Sequence, residues 1–204
     1  MIDHERKLLF IHIPKNAGNS VRELVFGKDI ATSHRTASRY PLKVWEEYFT
    51  FAVCRNPYDK LWSHYQYHCS SGTYHGSLLR QFPRMHEFSF KNYFDKIVMS
   101  GHNSFNAQYE FTTHHESDKS IDLILRFETL ATDVKKINKK FKASGEIKKL
   151  NQSTIRKSNW IQNLDWEDVK LINNAYQVDF DRFGYFMHNK FTFHITKLFW
   201  RLFL

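Results

Sequence analysis

Leu8-Leu9-Phe10-Ile11-His12-Ile13 is a short, mostly apolar run closed by Pro14. It predicts a buried strand that ends in a loop. Beyond the loop, Val21, Leu24 and Val25 recur at helical spacing, and Gly27 is placed to stop that helix. Pro41 to Tyr48 predicts a short helix. Phe49-Thr50-Phe51-Ala52-Val53-Cys54 has the length and character of a second buried strand. Asn56-Pro57 then reads as an N-cap followed by a first-turn proline, and Tyr58, Leu61, Trp62 and Tyr65 fall on one helix face. Cys69 to Ser89 is irregular and polar. Phe90 to Met99 reads as helix, Asp122 to Phe127 as a third strand, and Val134, Ile137 and Phe141 mark a helix with a lysine-rich outer face. Lys142 to Asn163 is polar without firm periodicity. Asp165 can cap a helix carrying Val169, Ile172, Ala175 and Tyr176. No internal repeat is visible. Strands alternating with helices predict an α/β layered domain with a mainly parallel sheet.

Composition narrows the class. A chain of 204 residues supports one sizeable core and is short for two ordinary domains with linkers. At 42% hydrophobic and 25% charged it is globular in character. Thirty Lys and Arg against 21 Asp and Glu give a formal charge of +9, with 17% aromatic residues. A basic, aromatic-rich domain points to an anionic partner: nucleic acid, a membrane surface or a nucleotide-like small molecule. Two cysteines, Cys54 and Cys69, are no disulfide framework. No apolar run is long enough for a membrane span or a signal-peptide core. These features predict a cytoplasmic protein. The segment Lys190 to Leu204 stands apart, with aromatic and aliphatic residues interspersed with His194, Lys197 and Arg201. Its plainer reading is a helix packed on the core. The sharper one is a basic amphipathic tail in peripheral contact with a membrane. The expected organisation is one domain over residues 1–189 followed by this tail.

Two loops carry the candidate chemistry. Pro14-Lys15-Asn16-Ala17-Gly18-Asn19-Ser20 lies where the first strand ends and a helix begins. Small residues there let backbone approach a ligand, the helix N-terminus suits an anion, Lys15 adds a full charge and Ser20 a hydroxyl. Lys15 precedes the glycine, so the spacing is not that of the nucleoside-triphosphate P-loop. In the second loop, Arg55 leaves the end of the second strand and Ser63 follows within the next helix, off its apolar stripe. An arginine at a strand's C-terminal edge is well placed for a phosphate. Taken singly, each loop is equally an ordinary turn with exposed cations.

Together the two loops resemble a known family. PKNAGNS is similar to the 5′-phosphosulfate loop of sulfotransferases that use 3′-phosphoadenosine-5′-phosphosulfate (PAPS), and FAVCRNPYDKLWSHY is similar to their 3′-phosphate segment. The branch resembled is the carbohydrate sulfotransferase family 2 type, heparan sulfate 2-O-sulfotransferase-like in its small prokaryotic form. His34-Arg35-Thr36-Ala37 resembles that branch's HxTA segment, IDLILRFETL its strand ending in RfEnL, Leu150-Asn151-Gln152-Ser153 its LNxS loop, and DFDRFGY its closing DxxxFGY. Lys60 stands where arginine is usual, and Asn16 and Asn19 where threonine is usual.

The resemblance implies a P-loop-NTPase-like three-layer α/β fold and sulfuryl transfer from PAPS to a carbohydrate hydroxyl, without a metal. It implies that Lys15 steadies charge on the leaving phosphate, that Pro14 to Ser20 hold the 5′ end, and that Arg55 and Ser63 bind the 3′-phosphate. Ser153 and Arg156 close over the nucleotide on the same grounds. His34 is the candidate base, since imidazole titrates near neutral pH. Glu23 is the alternative base, and its plainer reading is a solvated helix residue. His64 and His68 have i, i+4 spacing, but no third ligand is evident, so zinc is not expected. The segment Asn103 to Gln108 and the irregular Cys69–Ser89 region are expected to shape an acceptor site. A nucleic-acid-binding module is the competing class, but no RNA-binding signature is present. A nucleoside-triphosphate kinase is disfavoured by the missing P-loop spacing.

Overall fold

A computed structural model describes residues 1–27, 32–70, 76–141 and 159–203. In chain order the elements are β1 (Ile2–Asp3), β2 (Leu8–Ile11), α1 (Gly18–Phe26), α2 (Leu42–Glu47), β3 (Phe49–Cys54), α3 (Pro57–Tyr65), α4 (Ser77–Gln81) and α5 (Phe90–Lys96). They continue with α6 (Gln108–Thr112), β4 (Leu123–Arg126), α7 (Leu130–Phe141), α8 (Trp160–Asn163), α9 (Trp166–Phe183) and α10 (Lys190–Phe203). The class is mixed α/β with a mostly parallel sheet, as the alternating pattern predicts. The chain divides into two compact units. One is Met1–Arg55 with Asn106–Gln152, the other Asn56–Phe105 with Ser153–Leu204.

The first unit holds the sheet. Its described strands run in the order β1-β2-β3-β4, with β1 antiparallel to β2 and the rest parallel. Leu8 to Ile11 pair with Phe49 to Ala52, and Phe51 to Cys54 pair with Leu123 to Arg126. Every residue of β2 is buried, and Thr50 to Cys54 of β3 are buried too. That is why these strands read as continuous apolar runs rather than alternating ones. Phe10, Phe51, Val53 and Leu125 pack with Val21 and Val25 of α1 and Leu130 of α7. Thr50 donates to Asp122 Oδ2 through both its backbone N–H (2.7 Å) and its hydroxyl (2.8 Å), and accepts from Asp122 N. A buried hydroxyl thereby fixes the start of β4 beside β3.

The second unit is helical. Asn56 caps α3 by accepting from Tyr58 N at 3.0 Å, with Pro57 in the first turn. Tyr58 and Leu61 are buried as the apolar stripe requires, but so are Lys60 and His64. The Tyr58 ring stacks on Trp160 at 4.4 Å, and its hydroxyl bonds Asn173 Oδ1 and accepts from His188 N. The Asp165 and Asp168 side chains each accept from the other's backbone N–H, closing the capping box that starts α9.

Several elements differ from the sequence pattern. Strand β2 stops at Ile11, two residues short of the apolar run, and the turn into the loop begins at Pro14. Ile2–Asp3 forms a strand that no apolar run announces; it lies at the sheet edge and needs little burial. The helix from Phe90 ends at Lys96 and continues as a 3₁₀ turn over Val98–Ser100. The region after Cys69 contains α4 and a 3₁₀ turn at Met85–Glu87, held by buried Leu78 and Met85. Trp160–Asn163 is helical, capped by Asn159, inside a stretch that lacks periodicity because one turn is too short to show it.

Candidate functional site

In the first unit, β2 delivers the chain into the loop at Pro14. Lys15 and Ala17 both take positive φ, 66° and 58°, a left-handed conformation uncommon for residues with a side chain. Two such residues flanking Asn16 make a tight turn from which α1 leaves at Gly18. Ala17 caps α1 with no side-chain hydrogen bond. The helix therefore begins without a side-chain acceptor for its first N–H groups, the arrangement that suits an anion. Ser20 is buried and Asn19 half-buried in the first turn.

Asn16 does not face solvent. Its amide Nδ2 donates to Val53 O at 2.8 Å and to Gln108 Oε1 at 2.7 Å. Gln108, fully buried at the start of α6, also accepts from Arg55 N at 2.9 Å and donates to Arg55 O at 2.8 Å. One glutamine amide thus ties the loop after β2 to the end of β3. Arg55 in turn donates from Nη1 to Lys15 O at 2.9 Å, and its guanidinium lies 4.0 Å over the Phe127 ring. Lys15 and Arg55 are brought to one corner at the C-terminal edge of two adjacent parallel strands. Burial, and then the Arg55 charge, lower the Lys15 pKa to about 8. An anion placed there would relieve both. Asn16 Oδ1 is buried without a hydrogen-bond partner among the described residues.

The space over Gly18 is occupied by His12: a Cβ added at Gly18 would fall inside the imidazole. At Gly18 itself the close neighbour is this ring of the same unit. His12 stacks on Phe10 at 6.0 Å and meets His34 edge-on at 4.4 Å. Burial, then the neighbouring His34, lower the His12 pKa to about 3, so the ring is neutral at pH 7. His34 keeps an exposed edge, and its partial burial holds it below the usual imidazole pKa. His34, Lys15, Arg55 and the Pro14–Ser20 loop all belong to the first unit.

Ser63 lies on α3 in the second unit and is half-buried. Ser153 and Arg156 lie outside the described residues. His64 and His68 are both buried, and His68 Nδ1 bonds the Tyr93 hydroxyl at 2.7 Å. Among the described residues no group of three or more His, Cys, Asp or Glu gathers to hold a metal ion, and no helix is long and apolar enough to cross a membrane. The sequence pattern assigns no individual role to His12 or Phe127. Gln108 ends a segment expected to shape the acceptor site, yet its amide is directed into the loop junction. His12 is hidden inside an apolar strand run. Only tertiary packing distinguishes either from a neutral filler.

No curated protein and no solved structure matches the chain. Residues 1–186 match the model of a family described as "Sulfotransferase family". That match spans most of the chain and includes both loops and the strands that carry them: the chain belongs to the sulfotransferase family.

Proposed function

We propose that this sulfotransferase moves the sulfuryl group of PAPS to a hydroxyl of a carbohydrate acceptor. The observation that carries the reading is the junction of Lys15 and Arg55 on one loop corner, where each cation raises the cost of the other and an anion offsets both. A donor with phosphates at both ends of a nucleoside matches two cations at neighbouring strand ends, the usual ligand edge of a parallel sheet. The loop suits the 5′ end: left-handed Lys15 and Ala17 shape the turn and α1 offers uncapped N–H groups. Asn16 contributes its backbone, its side chain being engaged below the loop. Arg55 takes the 3′-phosphate in this reading, and the family resemblance adds Ser63, Ser153 and Arg156.

In-line sulfuryl transfer needs positioning and charge stabilisation more than covalent work by the protein. The Lys15 ammonium steadies the charge that develops on the oxygen between phosphate and sulfate. His34 accepts the proton of the attacking hydroxyl at a ring nitrogen. Its lowered pKa keeps it unprotonated and ready at neutral pH. The acceptor's carbohydrate nature rests on the family branch resembled, and the +9 charge favours an acidic one.

Thermal unfolding with adenosine 3′,5′-bisphosphate against ATP tests the donor. The bisphosphate raises the midpoint and ATP does not; equal effects, or none, overturn the reading and leave a basic binding module as the alternative. Transfer of labelled sulfuryl from PAPS across a glycan panel then identifies the acceptor.

A further inference from the structure

Helix α10 buries one side and leaves the other to solvent. Phe193, 1% exposed, packs inside the second unit, with its ring 6.1 Å from Trp166 and 6.5 Å from Trp160. Phe191, Ile195, Leu198 and Leu202 follow i, i+4, i+7, i+11 spacing, which sets them in one stripe on the side away from Phe193. They are 73%, 38%, 57% and 68% exposed. Phe199 beside the stripe and Phe186 in the preceding loop are exposed as well. The same helical geometry gathers Lys190, His194, Lys197 and Arg201 along one flank of the stripe. Lys197 donates to Leu164 O at 2.6 Å at the inner edge, while Lys190, His194 and Arg201 are exposed. Residues 190–203 contain no Asp or Glu.

We propose that α10 docks on a bilayer surface rich in anionic phospholipid. The helix lies in the interfacial plane, with Phe191, Ile195, Leu198 and Leu202 entering the acyl boundary. Lys190, His194 and Arg201 meet the headgroup phosphates. An exposed apolar stripe of this length marks an interaction face. A cationic flank free of acidic residues selects an anionic partner. A second copy of the chain fits less well, because it would bring one cationic flank against another. Among the described residues no helix, α10 included, is long and apolar enough to cross a membrane. The inference does not depend on the donor or the acceptor.

The full chain is floated with vesicles of phosphatidylcholine alone, and of phosphatidylcholine mixed with phosphatidylglycerol. It partitions onto the mixed vesicles, and added salt weakens the binding. Replacing Phe191, Leu198 and Leu202 together by Ser touches no buried side chain and lowers partitioning by about a hundredfold. Lys190→Glu with Arg201→Glu lowers it by about tenfold or more. Stabilisation of these variants by adenosine 3′,5′-bisphosphate stays as in the wild type, which separates this test from that of the donor. The proposal is overturned if the wild type stays unbound to both vesicles, or if the triple variant binds as well as the wild type. It is overturned equally if the stripe proves to hold a dimer that the triple variant dissociates without vesicles.

Discussion

The imidazoles of His12 and His34 meet edge-on with ring centroids 4.4 Å apart, one buried and the other reaching solvent. The candidate base therefore leans on a second histidine that cannot readily take a proton. Burial lowers the His12 pKa to about 3. The folded state binds the proton less readily than the unfolded chain. The stability contributed by the neutral ring is thus complete above the unfolded pKa near 6.5 and is lost as pH falls from there toward 3. Urea unfolding at stepped pH values shows a loss from this group approaching about 1.4 kcal/mol per pH unit. His12→Asn flattens that component; an unchanged slope in the variant means His12 is not its source.

Gly18 has no room for a side chain because His12 fills the space. Gly18→Ala destabilises the protein by about 1–3 kcal/mol through overpacking. In His12→Ala with Gly18→Ala the methyl group is accommodated. The double variant then loses less than the sum of the single ones, and a double-mutant cycle in urea measures the difference. Strict additivity means the two sites do not interact.

Lys15 is held at a cost to the ligand-free fold. With its pKa lowered to about 8 by burial and Arg55, stability of the ligand-free protein rises as pH climbs from about 8 toward the unfolded lysine value. Lys15→Met stabilises the ligand-free protein at pH 7 by about 1–3 kcal/mol, and abolishes sulfuryl transfer. Calorimetry with adenosine 3′,5′-bisphosphate shows wild-type affinity falling above pH 8 and the variant indifferent to that range. A variant that transfers sulfuryl at the wild-type rate removes Lys15 from the mechanism.

Gln108 joins the two loops by a single amide. Gln108→Met keeps the volume but deprives Asn16 Nδ2, Arg55 N and Arg55 O of their shared partner. The expected cost is about 2–4 kcal/mol by denaturant unfolding. Binding of adenosine 3′,5′-bisphosphate weakens in parallel, because Arg55 is no longer fixed beside Lys15. Full stability with normal binding would show the junction to be held by other contacts.

Strands β2 and β3 are legible from sequence since burial on both faces demands continuous apolar runs, and α3 because Asn56 and Pro57 satisfy the helix start locally. The PKNAGNS and RNPYDKLWSHY segments are equally legible, being contiguous. The division into two compact units lies beyond such patterns: it depends on which distant segments pack together.

By itself the sequence determined the α/β alternation, the two basic loops and the family they belong to, since each is written in neighbouring residues. Only the tertiary structure decided that Asn16 turns inward to Gln108, that His12 occupies the space over Gly18, and that one face of α10 stays bare. These depend on hydrogen bonds and packing between residues far apart in the chain. An isolated Asn, His or Phe gives no local sign of whether its neighbour in space is solvent or protein.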